Sequence, residues 1–387
     1  MKITRIIECP VQLKSNISNA LVNFSEHTVS LVAVETDQIR NNKPVVGLSF
    51  NSIGRYAQSG IVNRRMIPRI AQEPPDALLD ENGMICPEKV LACALRNEKP
   101  GGHGDRAAAA SALELAIWDL NGKLQDCPVS QLIRQRYRLD HDGRRVFVYA
   151  AGGYYYEGEG SRKLKDELQS YRDSGFTMYK MKIGGASRKE DMRRIEAALA
   201  IAGEGWNLAV DANGRFDLAA ARAYAASMQP YQLRWFEEAG DPLDFELNAT
   251  IASEYEGPIA TGENLFSHQD VKNLALYGGM RRDRDVFQMD SGLAYGITEY
   301  ARMLNEMESR GFSRKFCFPH GGQLMALQVV AGFGLGGSEV YPGIFQPMGG
   351  YGRATQIVDG MVNVPDVPGF GFECKPELIS LFADMIG

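Results

Sequence analysis

The stretch TMYKMKIGGASRKEDMRRIEAALAIAGEGWNLAVDANG, residues 177–214, decides the fold. TMYKMKI (177–183) and NLAVD (207–211) have the β-branched and aromatic character of short buried strands, and the Ala/Leu/Arg segment between them reads as an amphipathic helix. The rhythm starts near residue 143, with candidate strands RVFVYAA (145–151), LRWFEE (233–238), PIATGE (258–263), DVFQMD (285–290), KFCFPH (315–320) and a short one near Glu339. The strand-terminal residues Lys182, Asp211, Glu237, Glu263, Asp290 and His320 follow one another at intervals of 26 to 30. A β/α unit needs this length, and eight such units close a TIM-type (β/α) barrel of about 200–250 residues. The reading predicts a barrel over 143–363.

Outward from the barrel, HTVSLVAVET (27–36) and KPVVGLSF (43–50) read as strands, and DRAAAASALELAIWDLNGKL (105–124) as a helix that opens on a capping acid, Asp105. Residues 1–142 therefore form a separate α+β unit. At 387 residues, 44% hydrophobic and 23% charged, the composition is that of a globular protein and excludes disorder and collagen-like repeats. The net charge of −6 excludes a global positive field for nucleic acid or anionic membranes. Six scattered cysteines without C-x-x-C spacing argue against a zinc ribbon or disulfide framework and for a reducing compartment. With no signal-peptide core and no span of 18 apolar residues, the expected location is the cytoplasm.

Barrel chemistry collects at the C-terminal ends of strands. A single acid there is ordinarily the N-cap of the next helix, but six ionisable residues at matching places are hard to explain by capping. Asp211, Glu237 and Glu263 would converge at one rim and repel unless a cation neutralised them, and an all-oxygen set favours Mg²⁺. Lys180 and Lys182, two apart on a strand, face the interior together, and each would depress the other's pKa until one could serve as a base. His320 falls on the same rim, with Asp290 on the neighbouring strand to fix its tautomer. A base, an acid and a metal suit proton removal α to a carboxylate, followed by racemisation or by loss of a β-hydroxyl; the residue types fit both.

Two motifs are set aside. Gly332–Gly337 matches G-x-G-x-x-G, but it follows an apolar helical stretch and leads into a strand, the wrong context for a dinucleotide turn. Asp211-Ala-Asn213-Gly214 resembles a calcium loop, yet its glycine comes early and Arg222 stands where the closing Glu belongs.

With these residues in place, the chain resembles the enolase superfamily, mandelate racemase subgroup. The likeness is carried by NEKPGGHGDR (97–106), YAAGGYYY (149–156), KMKIGGA (180–186), VDANGRF (210–216), FEEAGDPLD (236–244), ATGENLFSHQD (260–270) and FPHGGQ (318–323). It implies an α+β capping domain, residues 1–142 completed by 364–387, closing over a modified TIM barrel. It further implies an Mg²⁺-dependent hydro-lyase converting D-tartrate to oxaloacetate and water, with a racemase, an epimerase or a dehydratase of another acid sugar as the alternatives. A non-catalytic acid-binding protein on a retained barrel is the reading from another class. By the same resemblance Asp211, Glu237 and Glu263 bind the metal, Lys182 abstracts the proton, Lys180 steadies the carboxylate, and His320 with Asp290 protonates the leaving hydroxyl. Glu339, Asn213 and Lys99 would contact substrate, with Arg55 and Asn51 of the NSIGRY loop in reserve for the second carboxylate. The partner is a small hydroxy-dicarboxylate rather than nucleic acid or membrane, and a homo-oligomer is expected. Relatives carry Glu-Glu-Pro after strand four, where this chain has Glu237-Glu238-Ala239-Gly240-Asp241-Pro242, a change that bears on substrate choice.

Overall fold

Alternating β-branched residues near the N-terminus form a three-stranded antiparallel sheet of β1 (Ile3–Gln12), β2 (Thr28–Arg40) and β3 (Lys43–Phe50), in that order. A computed structural model describes residues 1–156, 160–352 and 355–386 of the chain. Helix Gly104–Leu124 lies across the sheet, and its alanines are what let it approach so closely. A Cβ on Gly47 of β3 would stand 2.1 Å from the Ala116 carbonyl oxygen, so only glycine fits beneath the helix. Asp105 lies in the first turn, where its charge suits the helix dipole, but His103 is the N-cap and no side chain caps the helix.

The barrel strands are β4 (Arg145–Ala151), β5 (Tyr179–Lys182), β6 (Leu208–Asp211), β7 (Phe236–Glu237), β8 (Ile259–Thr261), β9 (Val286–Phe287) and β10 (Ser338–Val340). They pair in parallel in chain order from β4 to β9, and β10 returns to pair with β4. The seventh strand expected over 315–320 is reduced to a bridge between Cys317 and Phe287. Arg314–Phe316 is a 3₁₀ turn capped by Ser313, and Pro319 has no N–H to extend the ladder. The segment is still tied to β9, because Phe318 N–H donates to the Phe287 carbonyl (2.9 Å) and His320 N–H to that of Gln288 (3.1 Å).

A hairpin of β11 (Ile357–Val358) and β12 (Met361–Asn363) adds antiparallel to the outer edge of β4. The chain then returns to the N-terminal unit, where helix Pro376–Ile386 packs on β1 and β2. Lys123 pairs with Asp119 (2.8 Å) and Glu373 (3.0 Å), and Phe370 N–H donates to Asp119 (2.8 Å), which fastens this return to helix Gly104–Leu124. Among the described residues no helix is long and apolar enough to cross a membrane.

Inside the barrel, Tyr149, Met178, Ala209, Trp235, Ala260, Val286 and Phe318 form one apolar layer. Strand periodicity places residues two further along on the same face, one layer nearer the C-terminal rim. Those residues are Ala151, Lys180, Asp211, Glu237, Gly262, Gln288 and His320, and all are buried. The plug of aromatic side chains thus closes the barrel from below and forces the ionisable layer to open at the top.

Candidate active site

One oxygen each from Asp211, Glu237 and Glu263 lies within 4.8 Å of the others. Glu263 Oε2 is buried and among the described residues has no hydrogen-bond partner, which is costly for a carboxylate unless a cation takes it up. Glu237 is oriented by three donors: Lys180 Nζ (2.7 Å) to one oxygen, Trp235 Nε1 and Gln288 Nε2 (both 2.8 Å) to the other. Burial, and then the charge of Asp211, push the Glu237 carboxyl up to about 8. Asp211 goes the other way: burial opposes its charge, but Lys182 and Lys180 hold it at about 2. The donor set is hard, all oxygen and mutually repulsive, so the residues fit a hard dication such as Mg²⁺.

Lys182 ends β5 and reaches the cavity, its ammonium against Asp211 and 5.4 Å from the centre of the Tyr154 ring. The expected depression of its pKa by Lys180 is not what the geometry produces. Burial and Lys180 both lower it, but the adjoining Asp211 carboxylate outweighs them and keeps the ammonium above its ordinary value. Lys180 itself lies beneath the cavity floor, bonded to Glu237 (2.7 Å) and Glu339 (2.8 Å) and more distantly to Asp211 (3.7 Å), the carboxylate against which the Lys182 ammonium rests.

His320 lines the cavity opposite Lys182, with Nδ1 2.9 Å from Asp290 Oδ2 and Nε2 3.0 Å from the Tyr341 hydroxyl. Burial opposes its protonation, yet Glu263 and the Asp290 bond prevail and raise its pKa to about 9. Asp290 also accepts from Gly292 N–H (2.6 Å), which fixes its carboxylate.

The cavity, about 270 Å³, is lined by Lys182, Glu263, His320 and Tyr341 together with residues from the N-terminal unit, among them Asn19, Leu21, Phe24, Ile53 and Arg55. Arg55 donates to Asn264 Oδ1 (2.6 Å) and stacks on Phe266 at 5.3 Å, and Asn264 in turn donates to Glu238 (2.9 Å). Asn213 is on the wall, held by Asp211, with its Oδ1 unpartnered.

The remaining expected substrate contacts lie elsewhere. Lys99 borders a second cavity of about 830 Å³, which it lines with Pro100, Gly101, Gly102 and the barrel residue Asn264, and it does not line the pocket of Lys182. Asn51 is fully buried: its side chain accepts from Ser30 N–H (2.7 Å) and donates to the Arg55 carbonyl (3.2 Å), so it shapes the loop that carries Arg55. Glu339 is sealed in, bonded to Lys180 and accepting from Gly321 N–H (2.9 Å). Tyr154, Glu238, Asn264 and Tyr341 line the pocket and escaped the sequence reading. Tyr341 was within reach of it, since it stands two residues after Glu339 and directly follows the end of β10, where strand alternation would carry its side chain to the Glu339 face.

A barrel whose strand ends converge three carboxylates, a lysine and a histidine under an α+β cap has counterparts among known proteins. Residues 163–378 match the family described as enolase C-terminal domain-like, and residues 4–134 match the mandelate racemase / muconate lactonizing enzyme N-terminal domain. The chain belongs to the enolase superfamily, mandelate racemase subgroup. Among its relatives are the arabinonate dehydratase of Saccharolobus solfataricus and the L-talarate/galactarate dehydratase of Salmonella typhimurium. The first is 29% identical over 284 residues (71% of this chain, 72% of that protein) and the second 26% over 341 (88% and 80%). In fold it is similar to a magnesium-bound racemase from Streptomyces coelicolor, with a TM-score of 0.79 at 22% identity over 99% of each chain.

Proposed function

We propose that the protein is an Mg²⁺-dependent acid-sugar dehydratase whose substrate is a four-carbon hydroxy-dicarboxylate, D-tartrate. The observation that carries this reading is that Lys182 and the Asp290-supported His320 face one small cavity beside the carboxylate triad. Dehydratases among the relatives support the reaction class, and the four-carbon substrate rests on the sequence resemblance alone.

Asp211, Glu237 and Glu263 would hold Mg²⁺, which when bound stabilises negative charge developing on the substrate carboxylate. Lys182 takes the α-proton on its Nζ. For that the amine must be neutral, and drawing Asp211 away from it removes the charge that holds it protonated. His320, fixed by Asp290, is the source of the proton that the departing β-hydroxyl takes up, leaving an enol that becomes oxaloacetate. Arg55, at the edge supplied by the N-terminal unit, is the cation placed to meet the second carboxylate.

The test is a panel of four- to six-carbon hydroxy acids assayed with Mg²⁺. Water loss from D-tartrate is expected, and turnover of six-carbon acids without tartrate overturns the substrate assignment. A lysine and a histidine across one cavity also suit inversion at a single carbon, so racemisation without water loss would establish the alternative reading.

A further inference from the structure

We infer that Tyr341 is a third member of the acid side of the site, a catalytic residue that passes the proton of His320 to the leaving oxygen; the inference rests on the dehydratase reading. The chain of contacts is continuous: Asp290 Oδ2 to His320 Nδ1 at 2.9 Å, then His320 Nε2 to the Tyr341 hydroxyl at 3.0 Å. Tyr341 is 3% exposed, its side chain lines the cavity, and among the described residues its hydroxyl has no other hydrogen-bond partner. A buried phenol with one partner and an open cavity on its other side has a free position for a substrate oxygen.

Its placement is built into the fold. Gly322 is required beneath it, since a Cβ there would stand 2.5 Å from Tyr341 N and 2.6 Å from the ring. Tyr341 N–H donates to the Gly322 carbonyl (3.3 Å), which also accepts from Gly350 N–H (2.7 Å). Phe345 packs edge-on against the ring at 5.1 Å. From the returning C-terminal segment, Lys375 fixes the adjacent loop by donating to the carbonyls of Gly349 (2.5 Å) and Gly350 (3.2 Å). Together these hold the hydroxyl on Nε2, the imidazole nitrogen that Asp290 leaves free.

A phenol is both donor and acceptor, so it can stay bonded to imidazole whether or not Nε2 carries a proton. In the elimination, the β-carbon–oxygen bond breaks with its electron pair moving to oxygen. That oxygen takes the Tyr341 hydroxyl proton and leaves as water, while Nε2–H of His320 supplies its proton to the Tyr341 oxygen. The phenol ends unchanged and the imidazole neutral. The α-proton, already on Lys182, is not involved.

The test compares dehydration of D-tartrate with exchange of its α-hydrogen in D₂O. Tyr341→Phe should dehydrate at least about a hundredfold more slowly while exchanging within about threefold of the unsubstituted enzyme. Unchanged dehydration, or equal loss of both reactions, overturns the assignment. A second readout needs no turnover: in ¹⁵N-histidine-labelled protein the His320 Nε2 resonance, assigned with His320→Asn, should move in Tyr341→Phe, and an unmoved resonance overturns the pairing. Failure of the dehydratase reading is told apart because unsubstituted protein would then not dehydrate, whether or not it exchanges the α-hydrogen.

Discussion

Arg194 Nη1 donates to the backbone carbonyl of Lys182 across 2.8 Å, so a helix residue fixes the strand end from which the candidate base projects. Its other nitrogen donates to the carbonyls of Gly153 (2.7 Å) and Tyr154 (3.2 Å), joining the ends of β4 and β5. Asp191 pairs with Arg194 (3.3 Å) and accepts from Gly184 N–H, Tyr155 and Tyr224. Removing one partner of a buried ion pair costs about 3–5 kcal/mol. Arg194→Met should therefore lower the denaturant midpoint by a corresponding amount, and an unchanged midpoint in urea unfolding would contradict this role.

The two sides of the pocket should separate by isotope exchange. Lys182→Ala is expected to lose α-hydrogen exchange and dehydration together, each by about 10²–10⁴-fold. His320→Asn should lose dehydration and retain exchange. Proton NMR of the substrate in D₂O reads both, and the reverse pattern would interchange the two roles.

Glu263 should matter to metal affinity more than to folding, because among the described residues its Oε2 has no hydrogen-bond partner and only a long ion pair with His320 (3.9 Å). Glu263→Gln is expected to weaken Mg²⁺ binding by about tenfold or more, read by calorimetry. Chelation should abolish activity and added Mg²⁺ should restore it, with a rise in Tm on rebinding. Retained activity after exhaustive chelation would rule out the metal role.

Substitution at the two expected cation positions should give unequal results. Arg55→Ala, on the wall of the cavity, should reduce kcat/KM for a dicarboxylate by about tenfold, the loss of one charged hydrogen bond. Lys99→Ala, in the separate cavity, should leave it nearly unchanged. Equal losses in steady-state kinetics would return Lys99 to the site.

His27 predicts an acid limb in stability. It is 2% exposed, among the described residues neither ring nitrogen has a partner at good hydrogen-bond geometry, and it packs against Tyr56 with ring centres 4.4 Å apart. Burial depresses its folded pKa below 6.5, so the unfolded chain takes up the proton first. Its contribution is therefore fully present above pH 6.5 and is lost as pH falls through the folded value. His27→Phe should flatten the pH dependence of Tm below 6.5, and an unaltered slope would show that the acid limb arises elsewhere.

Much of this architecture is local and therefore legible in the sequence. The interval of 26 to 30 residues between polar strand ends reflects the length of one β/α unit, and alternation along a strand puts Lys180, Asp211 and Glu237 one step above Met178, Ala209 and Trp235. Those rules determined the barrel, its ionisable rim and the pairing of Asp290 with His320. They did not reach what depends on contacts distant in sequence. Lys180 and Lys182 share a strand face, but which carboxylate each meets is set by β6, β7 and β10, so the lysines' electrostatics were decided in three dimensions. The loops at the mouth follow no period: Asn51 turned inward to Ser30, Lys99 went to a different cavity, and Arg55 reached Asn264, 209 positions away. The sequence by itself determined which residue types stand at the strand ends, because that is a matter of backbone repeat. Only the tertiary structure decided which of them share a cavity, charge and a hydrogen bond, because those depend on side chains meeting across strands and from the cap.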